Sequence, residues 1–413
     1  MKRNFATLML AIILCLTLAV SAAAESGSPI YSAADLFTSR DLTQEADLAD
    51  ATSFTISDGE DIHITAAGVY VLTGTASNAT VYVEAGKDDK VQLVLDGVSV
   101  TNAGFPAIYV KTADKVFITV SGDSSLSVTG AFASDGGAKT DGVIFSKTDL
   151  TLNGTASLTI SSTDNGIVGK DDLKITGGTY DITAASKAIE ANDSIRIADG
   201  TLYLTAGTDG LHAENNDDTA KGYVYVCGGS LTINAGDDGI HATSVVQIDG
   251  GTLTIKAAEG IEGTYIQFNG GTINIQATDD GVNAARKSSA YTPTVEINDG
   301  DITISMGAGD TDGIDSNGNI IMNGGTVRVT GNSTFDYDGN AQYNGGVIIA
   351  NGQQIAYIPN QMMGGRGGWG GRQNGQQGGW GGWGQPDTIS SATSQDGQQN
   401  MGGRGGHGGR GGW

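Results

Sequence analysis

The chain has 413 residues and a formal net charge of −24, with 46 acidic against 22 basic residues, 65 glycines and two cysteines. So acidic a surface repels phosphates, which excludes nucleic acid as a natural partner and favours calcium or a calcium-bridged ligand. Beyond the first residues no apolar run is long enough to span a bilayer.

Lys2 and Arg3, an apolar run over residues 5–20 and then Ala22-Ala23-Ala24 have the layout of a secretion signal cleaved after Ala24. Cys15 follows Leu14, where a lipid-anchored signal needs a small residue, so no lipid anchor is expected. Cleavage leaves only Cys227, and no intrachain disulfide is expected even in an oxidising exterior. Residues 25–50 are polar and aperiodic; they read as a leader without chemistry of its own.

From Phe54 onward short β-rich runs alternate with turn residues, as in Val69-Tyr70-Val71-Leu72, Val81-Tyr82-Val83 and Ile108-Tyr109-Val110. These irregular first repeats suit the terminal cap of a solenoid. From residue 139 the repeat becomes regular. Gly228-Gly229-Ser230-Leu231-Thr232-Ile233, Gly250-Gly251-Thr252-Leu253-Thr254-Ile255 and Gly270-Gly271-Thr272-Ile273-Asn274-Ile275 recur every 20 to 22 residues, each followed by an acidic turn and Gly-Ile or Gly-Val. Each repeat then carries three short strands: one after the glycines, one after the acidic turn, one before the next glycines. Three strands per period near twenty predict a parallel β-helix over residues 51–351.

Strand alternation assigns faces. Leu202, Leu231, Leu253, Ile273, Ile302 and Val327 form one inward column, and Leu211, Ile240, Ile261, Val282 and Ile314 a second. Asp249, Asn269, Asn298 and Asn323 recur before the glycines, where their side chains can hydrogen-bond along a turn. Residues 214–221 and 285–292 are insertions after the same strand, so they project from one side. Residues 352–413 collapse to Gly, Arg, Trp and Gln, hold all four tryptophans and are expected to be disordered.

The chemical signal is the acidic turn. Asp209, Asp237, Asp238, Glu259, Asp279, Asp280, Asp310 and Asp312 stand at or near the start of successive turns. Equivalent residues of a parallel coil stack about 4.8 Å apart. Carboxylates that close repel one another, and calcium takes such oxygen ligands without strict geometry. A second polar column, Glu190, His212, His241, Glu262, Asn283 and Asp315, follows each turn. Asp209, Asp237, Asp238, Glu259, Glu262, Asp279 and Asp280 are the expected calcium ligands; Asp before Gly is also ordinary turn chemistry. His212 and His241 lack a third nitrogen or sulfur ligand and read as surface residues. Tyr203 and Tyr225, outward by alternation, and Tyr291, in an insertion, are the expected sugar-stacking rings, although outward tyrosine is also common in strands. Cys227 takes the place of Asn or Asp in the pre-glycine column and reads as a small buried residue.

Gly68-Val69-Tyr70-Val71-Leu72-Thr73-Gly74, Val91-Gln92-Leu93-Val94-Leu95-Asp96-Gly97-Val98, Asp164-Asn165-Gly166-Ile167-Val168-Gly169-Lys170-Asp171-Asp172-Leu173 and the Asp-Gly-Ile repeats resemble the secreted bacterial carbohydrate-binding β-helix family. The resemblance covers residues 54–330. It implies a right-handed, pectate-lyase-like parallel β-helix, bound calcium, and non-catalytic binding of cellulose or polygalacturonate. A rival reading is a calcium-dependent polysaccharide lyase, which needs a Lys or Arg to remove the proton beside a uronate carboxylate; Lys170, Lys174, Lys187 and Arg196 are its candidates. A third is a cell-surface scaffold acting through the Gly/Arg/Trp tail.

Overall fold

The computed structural model describes residues 27–361 except 138, 309 and 310. The expected secretion signal, Asp310 and the tryptophan-rich tail therefore lie outside the described residues.

The chain winds into a parallel β-helix with three ladders of strands running along it. The first ladder stacks the strands after the glycines, such as Thr252–Ala257 on Thr272–Ala277. The second stacks those after the acidic turns, such as Asp238–Ala242 on Glu259–Gly263, and has twelve strands among the described residues. The third stacks those before the next glycines, such as Val245–Ile248 on Tyr265–Phe268. The first and third ladders join at Lys90–Asn102, which pairs with Lys115–Val120 at one end and Ser124–Val128 at the other. The early coils therefore contain long continuous strands rather than the short ones their alternation suggests.

The two predicted inward columns are the core. Leu202, Leu253, Ile273 and Ile302, and likewise Leu211, Ile240, Ile261, Val282 and Ile314, are fully buried. Side chains at one register in a parallel ladder meet their equivalents in the coils on either side, so a single period packs the whole length. The paired glycines follow from the same crowding. A Cβ on Gly250 would stand 2.7 Å from the Cys227 carbonyl oxygen one coil back, and Gly251 turns the chain at φ +91°, where other residues are strained. Beside the glycines the amide ladder forms as expected. Asn269 donates to Asp249 (2.7 Å), Asn298 to Asn269 (2.8 Å) and Asn323 to Asn298 (2.7 Å).

Residues 27–50 are not a free leader. They lie against the outer face of the third ladder and run across its coils. Gln267 accepts from the Ile30 N–H and donates to the Ser28 carbonyl, and Gln247 does the same for Tyr31. Farther along, Asp41 is completely buried between Lys115 and Lys174 (2.5 and 3.1 Å). At the other end the helix runs past residue 351: Gln353–Ile355 folds back antiparallel on Val347–Ala350, and the Gln361 side chain accepts from the Thr334 N–H. The two insertions do lie together on one side, where Ser288 donates to the Thr219 carbonyl (2.7 Å).

Candidate functional site

The second ladder carries the chemistry. Each of its strands buries an apolar residue, aliphatic in all but the last, where it is Phe335, and turns the next side chain outward, so register alone makes an outer column. It reads His63, Tyr82, Tyr109, Phe145, Val168, Glu190, His212, His241, Glu262, Asn283, Asp315 and Asp336. The strip is aromatic and basic in the early coils and acidic in the late ones.

At the early end His63 stacks on Tyr82, with ring centroids 4.9 Å apart, and Tyr82 packs on Phe105 and Tyr109. Tyr109 and Phe145 are buried in a small cluster separate from the core, whereas Tyr82 and Phe105 stay partly open and His63 is exposed. Lysines follow the strands in three adjacent coils. Lys111 lies 4.8 Å from the Tyr82 ring centre, Lys147 5.5 Å from that of Tyr109 and Lys170 5.7 Å from that of Phe145. Flat apolar rings under cationic groups suit a sugar face bearing hydroxyls or a carboxylate.

In the middle of the strip the acids have protein counter-ions. Glu190 accepts from Lys170 (2.8 Å) and Lys187 (3.3 Å). His212 Nδ1 lies 2.8 Å from Asp209. His241 Nδ1 lies 2.7 Å from Asp238 and 2.9 Å from Glu262, which also meets Lys287 at 2.7 Å. Burial opposes charge on His241, but the two carboxylates outweigh it and raise the imidazole to about 9. The glycine of Asp-Gly-Ile is required here, because a Cβ on Gly239 would lie 2.3 Å from Ile255 Cγ2 and 2.5 Å from the Gly260 carbonyl oxygen.

In the late coils the acids outnumber the cations. Burial, then Glu262, lifts Glu259 to about 7. Burial also lifts Asp280 to about 6, with Asp279 and Asp312 adding to it. Asp315 rises to about 7 through burial and the charges of Asp280, Asp312 and Asp336. Among them the Asn283 carbonyl oxygen is shielded from solvent without a hydrogen-bond partner, while its amide donates to Glu259 (3.1 Å). Carboxylate and amide oxygens are the donor type that calcium takes, but these acids do not converge within 4.8 Å as Asp238, His241 and Glu262 do among the described residues.

The expected ligands therefore separate. Asp209, Asp238, Glu259, Glu262 and Asp280 gather along the second ladder. Asp237 and Asp279 are exposed at the turns. Of two adjacent acids only the second continues into the ladder, as the Asp238–Glu259 pairing shows. The histidines are not bystanders: His212 and His241 stack with centroids 4.5 Å apart, and both contact the acids.

The three tyrosines do not form one face. Tyr203 is half exposed, but on the first ladder, beside Asp181 and Thr232. Tyr225 points away from the core as alternation requires and is nevertheless buried, because Tyr31 and Phe37 of the N-terminal segment cover it. Tyr291 is half-buried and packs on Tyr265. Lys174 and Arg196 are also on the third ladder, bound to Asp41 and Asp172, so of the four basic candidates only Lys170 and Lys187 lie on the acidic strip, where Lys287 joins them. The aromatic end escaped sequence reasoning, although Val81-Tyr82-Val83 and Ile108-Tyr109-Val110 share one alternation that could have found it.

The model of the family described as carbohydrate-binding domain-containing protein matches residues 58–310, more than half of the chain. A carbohydrate-binding domain-containing protein of Acetivibrio thermocellus is 36% identical over 129 residues, covering 30% of this chain and 45% of that protein. The match thus spans less than half the length of that relative. A solved polysaccharide lyase-like protein from C. thermocellum, as a gadolinium derivative, is 29% identical with a TM-score of 0.47, covering 54% of this chain and 93% of its own. On the extent of the family match, this chain belongs to the carbohydrate-binding domain-containing protein family.

Proposed function

We propose that the protein is a secreted, non-catalytic polysaccharide-binding protein whose glycan lies along the outer column of the second ladder. The observation that carries the reading is the open end of that column. Tyr82 and Phe105 present ring surface beside exposed His63, with Lys111 over the tyrosine. The rings would receive pyranose faces; Lys111 and Lys170 already meet Glu84, Asp135 and Glu190, so Lys147, over the Tyr109 ring, would favour an acidic, pectin-like chain over neutral cellulose.

Calcium completes the reading in the late coils. Glu259, Asp280, Asp315 and the Asn283 side-chain oxygen would draw together around it, and the bound ion would offset the burial and the mutual repulsion that raise these carboxyls. It would also offer a bridge to uronate carboxylates.

The test is sedimentation of the mature chain with insoluble pectate and cellulose, with and without calcium, while the absorbance of unsaturated uronate is followed. Retention on pectate without product supports binding alone. Accumulating unsaturated product would replace it with a lyase, and no retention on either polymer would refute the glycan reading.

A further inference from the structure

Two adjoining coils repeat one phrase, Asp209-Gly210-Leu211-His212 and Asp238-Gly239-Ile240-His241, and the next coil ends it differently with Glu259-Gly260-Ile261-Glu262. Register places His212, His241 and Glu262 at one position in three successive strands. His212 meets Asp209 through Nδ1 and Glu214 through Nε2, whereas His241 has Asp238 from its own turn and Glu262 from the next coil. The ligand atoms of Asp238, His241 and Glu262 all lie within 4.8 Å of one another. Both acids are buried, and both converge on the same ring atom, Nδ1.

A nitrogen with one proton can donate fully to only one of two acceptors, so the arrangement holds more acceptor capacity than the imidazole can use. A divalent ion in place of that proton would meet one nitrogen and two oxygens. Tetrahedral bonds of about 2.0–2.1 Å separate such ligands by roughly 3.3 Å, so opening the present contacts of 2.7 and 2.9 Å by a few tenths of an ångström is enough. Imidazole with two carboxylates is a set that zinc and its first-row neighbours accept and that calcium, which seeks six to eight oxygens, does not.

His212 is not a further ligand. Its ring is stacked on that of His241, 14° from parallel, so the in-plane lone pairs of the two rings run side by side and cannot converge on one ion. It holds the ring of His241 in place instead. Lys287, 2.7 Å from Glu262, is the resident competitor, and its side chain would have to turn away for an ion to bind.

We propose that Asp238, His241 and Glu262 form a binding site for a borderline divalent transition ion such as zinc, distinct from the calcium binding proposed for the late coils. The site does not depend on the glycan reading. Binding exchanges the Nδ1 proton for the ion, and the proton leaves to the buffer. The groups facing His241 are Asp238 and Glu262, with Lys287 behind Glu262, Asp209, His212 and Glu214 in the preceding coil and Glu259 beside Glu262.

The mature chain, held in excess calcium chloride, is titrated with zinc chloride by calorimetry at pH 7.5 in two buffers of different ionisation enthalpy. One zinc per chain is expected, with about one proton released on binding. His241→Asn should lose at least about 100-fold in affinity, more than the loss of an orienting partner alone. His63→Asn and His407→Asn, which remove the histidines outside the site, should keep one zinc per chain at native affinity. Lys287→Ala should bind at least as tightly as the native chain, which a merely structural cluster would not predict. If His241→Asn fails to fold, Glu262→Gln and the visible spectrum of cobalt on the native chain decide. The proposal is overturned by absence of zinc binding, by displacement of zinc with calcium, or by His241→Asn binding as the native chain does.

Discussion

Asp41 and Lys115 form an ion pair at 2.5 Å across 74 residues of sequence, and Lys174 meets the same carboxylate at 3.1 Å. The pair fastens the N-terminal segment to the third ladder. Burial alone would raise the carboxyl of Asp41, but hydrogen bonds from Lys115 and the Thr38 N–H hold it well below the usual carboxylate range.

Removing one member of such a group leaves the other charges buried without compensation. Asp41→Ala should therefore destabilise the chain by about 3–5 kcal/mol, read from chemical denaturation. Proteolysis should then reach residues 27–50 in the variant before the coils.

Stability without added metal should fall as pH rises from 5 to 9. Glu259 is raised from 4.5 to about 7, and Asp280 and Asp315 from 3.8 to about 6 and 7. A raised folded value favours the protonated form, so each contribution is complete below the ordinary value and is lost as pH passes the folded one. His241, raised from 6.5 to about 9, adds a loss in the same direction at the alkaline end. Asp41, Glu190 and Asp209 are lowered instead, so their contributions are already complete above pH 5. Thermal melts from pH 5 to 9 check the slope.

Calcium should reverse part of that slope. Bound only to the native state at a hundredfold excess over its dissociation constant, one ion adds about 2.7 kcal/mol. The rise in melting temperature should be larger at pH 8 than at pH 5, where protons occupy the same oxygens, and Asp315→Asn with Asp280→Asn should shrink it. A chelator that leaves the melt at pH 8 unmoved would remove calcium from the account.

Asn298 joins Asn269 to Asn323, donating to the first and accepting from the second. Replacement by Leu removes both of these hydrogen bonds from the ladder, so Asn298→Leu should cost about 1–3 kcal/mol in chemical denaturation. The core column beside it is more sensitive: Ile273→Ala should cost about 2–5 kcal/mol.

The core was legible in the sequence because one period fixes every register. Once Leu253 is inward, Leu231 and Ile273 must be too. The outer polar column from Glu190 to Asp315 was legible for the same reason. The N-terminal segment was not, since it docks by backbone contacts to Gln247 and Gln267 that leave no periodic mark, and it covers Tyr225, which alternation alone turns outward. The aromatic end was hidden by uneven early coils, in which the steps from His63 to Tyr82, Tyr109 and Phe145 are unequal. The role of His241 was hidden because its partner Glu262 comes from the next coil.

The most direct test of the account is the affinity of the mature chain for oligogalacturonates after Tyr82→Ala, with Tyr203→Ala as the comparison. An aromatic contact is worth about 1 kcal/mol beyond its area, and burial of the ring face adds to it, so Tyr82→Ala should weaken binding about tenfold or more. Tyr203→Ala, on the first ladder, should bind as the native chain does. Native affinity in Tyr82→Ala together with a loss in Tyr203→Ala would contradict the assignment of the glycan to the second ladder.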